Sequence, residues 1–167
     1  MKIIEGVVVQ IPELLGLDEI IAPELLGEGD TSTLREHLFD GVDNPPTLSA
    51  DQETVLVLLR GFRSGSVQEE AARVLNASGV RAILGPAFDQ LTVRNFANNG
   101  LPLLEMPGVL PELESGRHVT IDFEGRVLRI TDRDTEFALP EIPDFLRNLF
   151  IQGGVVASMR HLMGNNP

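Results

Sequence analysis

The sequence contains no cysteine. It can therefore form no disulfide and supply no thiolate to a zinc site or an iron–sulfur cluster, so any such metal must come from a partner. Positive charge is also scarce: 13 Lys and Arg stand against 25 Asp and Glu, a formal net charge of -12. That balance argues against binding nucleic acid or anionic lipid through bulk electrostatics, both of which need a positive surface, and its plainer consequence is solubility. No apolar run approaches the roughly 20 residues of a membrane span. Met1-Lys2-Ile3-Ile4-Glu5 leads straight into a strand pattern, without the apolar core of a signal peptide, which predicts a cytosolic protein. There is no internal repeat, low-complexity tract or domain linker. The three histidines, His37, His118 and His161, lack metal-ligand spacing and read as surface or capping residues.

What is present suits one ordinary domain over residues 1–167, with 43% hydrophobic content. The chain is organised around residues 54–70. Aliphatic and β-branched residues at 55–59 read as a strand, followed by a Gly/Ser-rich turn and a segment with helical spacing. Ser66 and Glu69 stand as Ser-x-x-Glu, a capping box that predicts a helix starting at Ser66. Free backbone N–H groups and the positive end of a helix dipole would meet there, making a seat for a carboxylate or an oxyanion. On Ser-x-x-Glu alone, Ser66 is an ordinary helix cap.

The flanking chain continues the pattern. Residues 3–11 read as a strand of the core sheet, and 14–26 as turn and short helical pieces interrupted by Gly16 and Pro23. Residues 27–32 form a polar loop, with Ser32 or Thr33 capping a short helix through Phe39, and 41–51 a connecting loop. After the helix at 66–77, Ser78-Gly79 is a stop, 80–84 a strand, 88–98 a helix ended by Asn99-Gly100, and 101–106 a strand. Such strand–helix–strand units predict right-handed parallel crossovers, with the turns after the strands on the sheet edge where ligands bind. Residues 119–130 read as a hairpin around Glu124-Gly125, and Asp122, Asp132 and Asp134 as solvated turn residues. Residues 143–163 are helical, broken by Gly153-Gly154.

Taken together, these segments resemble the small subunit of 3-isopropylmalate dehydratase, the free-standing counterpart of the aconitase swivelling domain. Phe62-Arg63-Ser64-Gly65-Ser66-Val67-Gln68-Glu69-Glu70-Ala71 lies over the family pattern Phe-Gly-x-Gly-Ser-Ser-Arg-Glu-His-Ala. Residues 79–88, Arg94-Asn95, Asn98-Asn99-Gly100-Leu101-Pro102, Asp18-Glu19-Ile20-Ile21 and Gly153-Gly154 match in order, so the resemblance spans most of the chain. It implies an α/β aconitase-like swivelling domain in β/β/α layers with a mainly parallel central sheet. It further implies a cytoplasmic hydro-lyase of leucine biosynthesis, active only with a large subunit that carries a [4Fe-4S] cluster. In that family the cluster acts as Lewis acid on the substrate hydroxyl, while a serine alkoxide of the small subunit removes a proton from the neighbouring carbon. Ser66 is the matching serine.

By the same resemblance Arg63, Ser64, Gly65, Val67 and Gln68 contact the malate-like substrate, and the loop at 25–38 helps choose its side chain. Four positions of this turn depart from the family: Arg63 replaces a glycine, Val67 its second serine, Gln68 its substrate-clamping arginine, and Glu70 its histidine. An amide cannot give the charged bidentate pairing of a guanidinium, which leaves Arg63 or Arg60 as the substitute. The alternative reading is a non-catalytic paralogue that keeps the fold and the partner-binding surface.

Overall fold

A computed structural model describes residues 3–25, 30–66 and 68–164. Val67 and the centre of the loop after Leu25 lie outside them. In chain order the elements are β1 (Ile3–Ile11), β2 (Leu15–Gly16), α1 (Leu17–Ile20), α2 (Thr31–Glu36), β3 (Thr54–Leu58), β4 (Phe62–Arg63) and α3 (Gln68–Ala77). There follow β5 (Val80–Gly85), α4 (Gln90–Asn98), β6 (Leu103–Glu105), β7 (His118–Asp122), β8 (Val127–Ile130), β9 (Thr135–Ala138), α5 (Asp144–Gln152) and α6 (Val155–Leu162).

All five residues of β3 are buried, because the strand has a core on each face. Side chains alternate along it. Leu56 and Leu58 join a cluster with Ala71, Val74 and Leu75 of α3 and Phe96 of α4, whereas Val55 and Val57 join one with Ile121, Leu128, Ile130 and Phe150. Each such aliphatic side chain contributes about 1.5–3 kcal/mol on burial, so this pentapeptide anchors the two layers together.

The seven-stranded sheet runs β6-β5-β3-β1-β7-β8-β9. β1 is its seam, pairing parallel with β3 and antiparallel with β7. On one side β5 and β6 continue the parallel half; on the other β8 and β9 continue the antiparallel half. Ile4 and Val8 of β1 share a core with Ile121, Leu128 and Ile130 of the antiparallel half and Leu104 of the far parallel edge. One sheet encloses such a core only by curling over it.

Several local expectations change. Asp30, not Ser32 or Thr33, caps α2, accepting from the amides of Ser32 (3.0 Å) and Thr33 (3.1 Å). The hairpin gains a third strand, β9, through a turn in which Asp134 has φ +50. Asp132 is not simply solvated: it accepts from Arg117 at 2.6 Å, which holds its carboxyl below and the guanidinium above their usual ranges.

The Asn98-Asn99-Gly100 turn has a packing explanation. Gly100 has φ +72, and a Cβ there would sit 2.5 Å from the Gly153 carbonyl carbon. Gly154 is as tight, its position 2.5 Å from the Asn98 carbonyl oxygen. The two glycine turns close backbone to backbone, which no larger residue permits. Asn76 Nδ2 adds a 3.0 Å bond to the Asn99 carbonyl.

Candidate active site

The chain leaves β3 at the carboxyl edge of the parallel strands and turns sharply at Gly61, whose φ is +79. β4 then pairs parallel with β2, Leu15 opposite Phe62 and Gly16 opposite Arg63. The Phe62 ring is wedged against Phe88 and Phe96, each with centroids at 5.6 Å, and these contacts pin the start of the turn. Because β2 runs directly into α1, its pairing with β4 lays the first turn of α1 against residues 63–66. Two consecutive carboxylates, Asp18 and Glu19, arrive there.

Asp18 holds the serine. Its Oδ1 accepts from the Ser66 backbone N–H at 2.8 Å and lies 3.4 Å from the Ser66 hydroxyl. Gly65 makes this approach possible, since a Cβ at that position would lie 2.5 Å from the same oxygen and 2.9 Å from Leu17 Cβ. Glu19 holds the arginine. Its Oε2 accepts from the Gly16 amide at 2.5 Å, closing the start of α1, and its Oε1 accepts from Arg63 Nη2 at 2.8 Å.

The remaining predicted residues fall around this pair. Ser64 and Ser66 are exposed, so the turn opens to solvent. Gln68 begins α3, and its amide is spent on the protein: Nε2 donates weakly to the Gly65 carbonyl at 3.5 Å, and Oε1 accepts from Asn95 Nδ2 at 2.7 Å. Arg60 is exposed. α3 starts at Gln68, not Ser66, and the Ser66 hydroxyl faces Asp18 rather than capping that helix. The seat for an anion is partly taken by an internal carboxylate.

The Ser66 hydroxyl faces Asp18 Oδ1 at 3.4 Å, a long contact beside the 2.8 Å bond from its own amide. A hydroxyl facing a carboxylate is oriented by it and, on losing its proton, becomes a base aimed at whatever lies over the turn. Sequence reasoning matched Asp18 and Glu19 to a family pattern without giving either a role, and it missed the Asn95 contact with Gln68. Among the described residues no three His, Asp or Glu side chains converge as a metal site. With no thiolate in the sequence, the donor set of an iron–sulfur cluster does not fit this chain.

A profile of the aconitase C-terminal domain matches residues 1–108. The chain belongs to the aconitase C-terminal domain family. Within it, this aconitase-type domain is 28% identical over 156 residues to the 3-isopropylmalate dehydratase small subunit of Caldanaerobacter subterraneus, covering 93% of this chain and 97% of that one. It is also 28% identical to the 2,3-dimethylmalate dehydratase small subunit of Eubacterium barkeri, with 91% and 93% covered. The crystal structure of the 3-isopropylmalate dehydratase LeuD of Methanocaldococcus jannaschii superposes with a TM-score of 0.80 at 25% identity, over 97% of both chains. The aconitase-type fold therefore extends past the profile match to include α5 and α6. No helix among the described residues is long and apolar enough to cross a membrane.

Proposed function

We propose that this chain is the small subunit of a two-chain aconitase-type hydro-lyase that isomerises a malate-like hydroxy acid by dehydration and rehydration. Isopropylmalate is the leading substrate, which would place the enzyme in leucine biosynthesis in the cytoplasm. Ser66 is the base. It takes the proton from the carbon beside the hydroxyl-bearing one; the electron pair of that C–H bond becomes the carbon–carbon double bond as the C–O bond breaks and hydroxide leaves. Proton and hydroxide together make the water lost, and re-addition at the exchanged positions gives the isomer. The observation that carries this reading is the exposed Ser66 hydroxyl facing Asp18 on a turn at the ligand edge of the sheet.

Ser64 and Gly65 flank Ser66 on the turn, with Arg63 on the strand side and Gln68 on the helix side, and Val67 keeps its substrate contact from the family pattern alone. The iron–sulfur cluster belongs in this proposal to the large subunit, whose thiolates must hold it; when bound, it supplies Lewis-acid activation of the departing hydroxyl. Relatives named for two different branched malates support an acid of that class.

The test is anaerobic co-purification of the tagged chain with its partner, an absorbance scan, and hydration–dehydration assays on isopropylmalate, 2,3-dimethylmalate, citrate and homocitrate. A brown complex active on one branched malate is the expected result. A colourless protein recovered alone, inactive on every acid, would replace this reading with the non-catalytic paralogue, for which the loss of arginine at position 68 already speaks.

A further inference from the structure

We infer that Arg63, anchored by Glu19, is the receptor for a substrate carboxylate at this site, taking over from the strand side of the turn the task that an arginine at position 68 would perform from the helix side. The inference rests on the hydro-lyase reading and adds to it a dicarboxylate requirement and a positioning residue. Three side chains compete for the task. Gln68 is the poorer receptor: its amide is uncharged, its oxygen accepts from Asn95 at 2.7 Å, and its nitrogen donates weakly to the Gly65 carbonyl at 3.5 Å. Arg60 is exposed on the connection before Gly61, and no described carboxylate holds it near the turn.

Arg63 is placed differently. Its Nη2 sits 2.8 Å from Glu19 Oε1 and only 2.9 Å from where a Cβ on Gly16 would be, so the guanidinium lies flush against the start of α1. Asp18, the next residue back on α1, holds Ser66. Consecutive carboxylates on one short helix therefore fix the cation and the base, three residues apart on the same turn, as a pair. A guanidinium has five N–H donors, and the bond to Glu19 uses one edge of the fork. Nε and Nη1 have no partner among the described residues, and the second N–H of Nη2 can join whichever of them lies on the edge that Glu19 leaves open, for bidentate pairing with a carboxylate.

The Arg63–Glu19 pair is well exposed, with side-chain accessibilities of 57% and 35%, so water screens it in the separate chain. A partner closing over the turn would exclude that water and strengthen both of the guanidinium's contacts. Glu19 acts through Arg63: it sets where the charge stands without touching the ligand. The substrate is then an acid with a second carboxylate reaching the β4 side of the turn, and a monocarboxylate analogue binds poorly.

The experiment uses the reconstituted two-chain complex with isopropylmalate, or with whichever of the four acids is turned over. Arg63→Gln is expected to raise KM by roughly 10–100-fold with kcat within about 3-fold, and Arg63→Lys to fall between. Glu19→Ala should raise KM several-fold; Glu19→Gln, whose one amide oxygen can replace only one of the two acceptors and turns an NH2 toward the other donor, should recover little of that loss. The double variant Arg63→Gly with Gln68→Arg should bind the acid more tightly than Arg63→Gly alone. Calorimetry of isopropylmalate on the Ser66→Ala complex supplies an affinity independent of turnover, and adding Arg63→Gln to it should weaken binding by the same factor. An unchanged KM and affinity in Arg63→Gln and Arg63→Lys, with Ser66→Ala still inactive, would overturn the role of Arg63 and leave the hydro-lyase standing. If Ser66→Ala is fully active, or no acid is turned over, the hydro-lyase reading itself fails.

Discussion

The Ser66 turn and the Asn98-Asn99-Gly100 turn both match patterns of the same family, and both contain a glycine against which a neighbour packs closer than a Cβ would allow. They serve opposite ends. At Gly65 the intruding Cβ would meet a carboxylate oxygen and one side-chain carbon, so the glycine makes room for Asp18 to reach Ser66. At Gly100 it would meet backbone of Gly153 on every side, so the glycine makes room for the chain itself. One turn is open and polar, its partners carried on side chains; the other is closed, its partners fixed by the fold. A glycine in a matched motif has a meaning only once the atoms beside it are known.

That contrast can be broken most directly at Ser66. Ser66→Ala in the reconstituted complex should lower kcat by about 10³-fold, in the range of lost general acid–base catalysis, while stability moves by less than about 0.5 kcal/mol in urea denaturation. A stability loss without an activity loss would make Ser66 a structural residue like Gly100. Gly100→Ala should do the reverse. Its positive φ and backbone clash are expected to cost about 3 kcal/mol or more, seen as a lower urea midpoint, with the activity of the folded complex retained.

The same substitution at the other turn sharpens the point. Gly65→Ala should cost about 1–2 kcal/mol, since the Asp18 carboxylate can swing aside but Leu17 Cβ, at 2.9 Å, must also give way, yet moving Asp18 off Ser66 should lower kcat by roughly 10-fold or more. The smallest effect lies on α4, the helix whose C-terminus ends in the Gly100 turn. Asp89 caps its N-terminus, accepting from the Thr92 hydroxyl and amide, and the Thr92 hydroxyl first and its amide second hold the carboxyl below its ordinary 3.8. Asp89→Ala should cost about 1 kcal/mol near neutral pH. Because the folded pKa is depressed, that contribution is complete above the unfolded value and disappears as pH falls through the folded one. Wild-type and variant urea midpoints should begin to approach one another as pH falls below about 3.8 and draw together only below the depressed folded pKa; a constant gap would show that the cap does not act through its charge.

Much of the fold was legible locally. Short apolar runs placed β1, β3 and β5, alternation placed the β7–β8 hairpin, and Gly153-Gly154 placed the break between α5 and α6, because a buried strand, a two-faced strand and a helix's stop are all written in neighbouring residues. β9 was missed, since its half-exposed TEFA carries no buried alternation. The start of α3 was displaced for a different reason. Ser-x-x-Glu signals a cap wherever it occurs, but here the serine was claimed by a carboxylate 48 residues earlier.

By itself, then, the sequence determined an acidic, cysteine-free composition that can ligate no iron–sulfur cluster and the order of most strands and helices, and its resemblance to the family singled out the serine proposed as base. Only the tertiary structure decided which groups surround that serine. The parallel pairing of β2 with β4 closes separations of 44 residues between Glu19 and Arg63 and 48 between Asp18 and Ser66. Periodicity reports on neighbours within a turn or two of chain, whereas a hydrogen-bond partner across such a distance exists only after the backbone has been brought around to it.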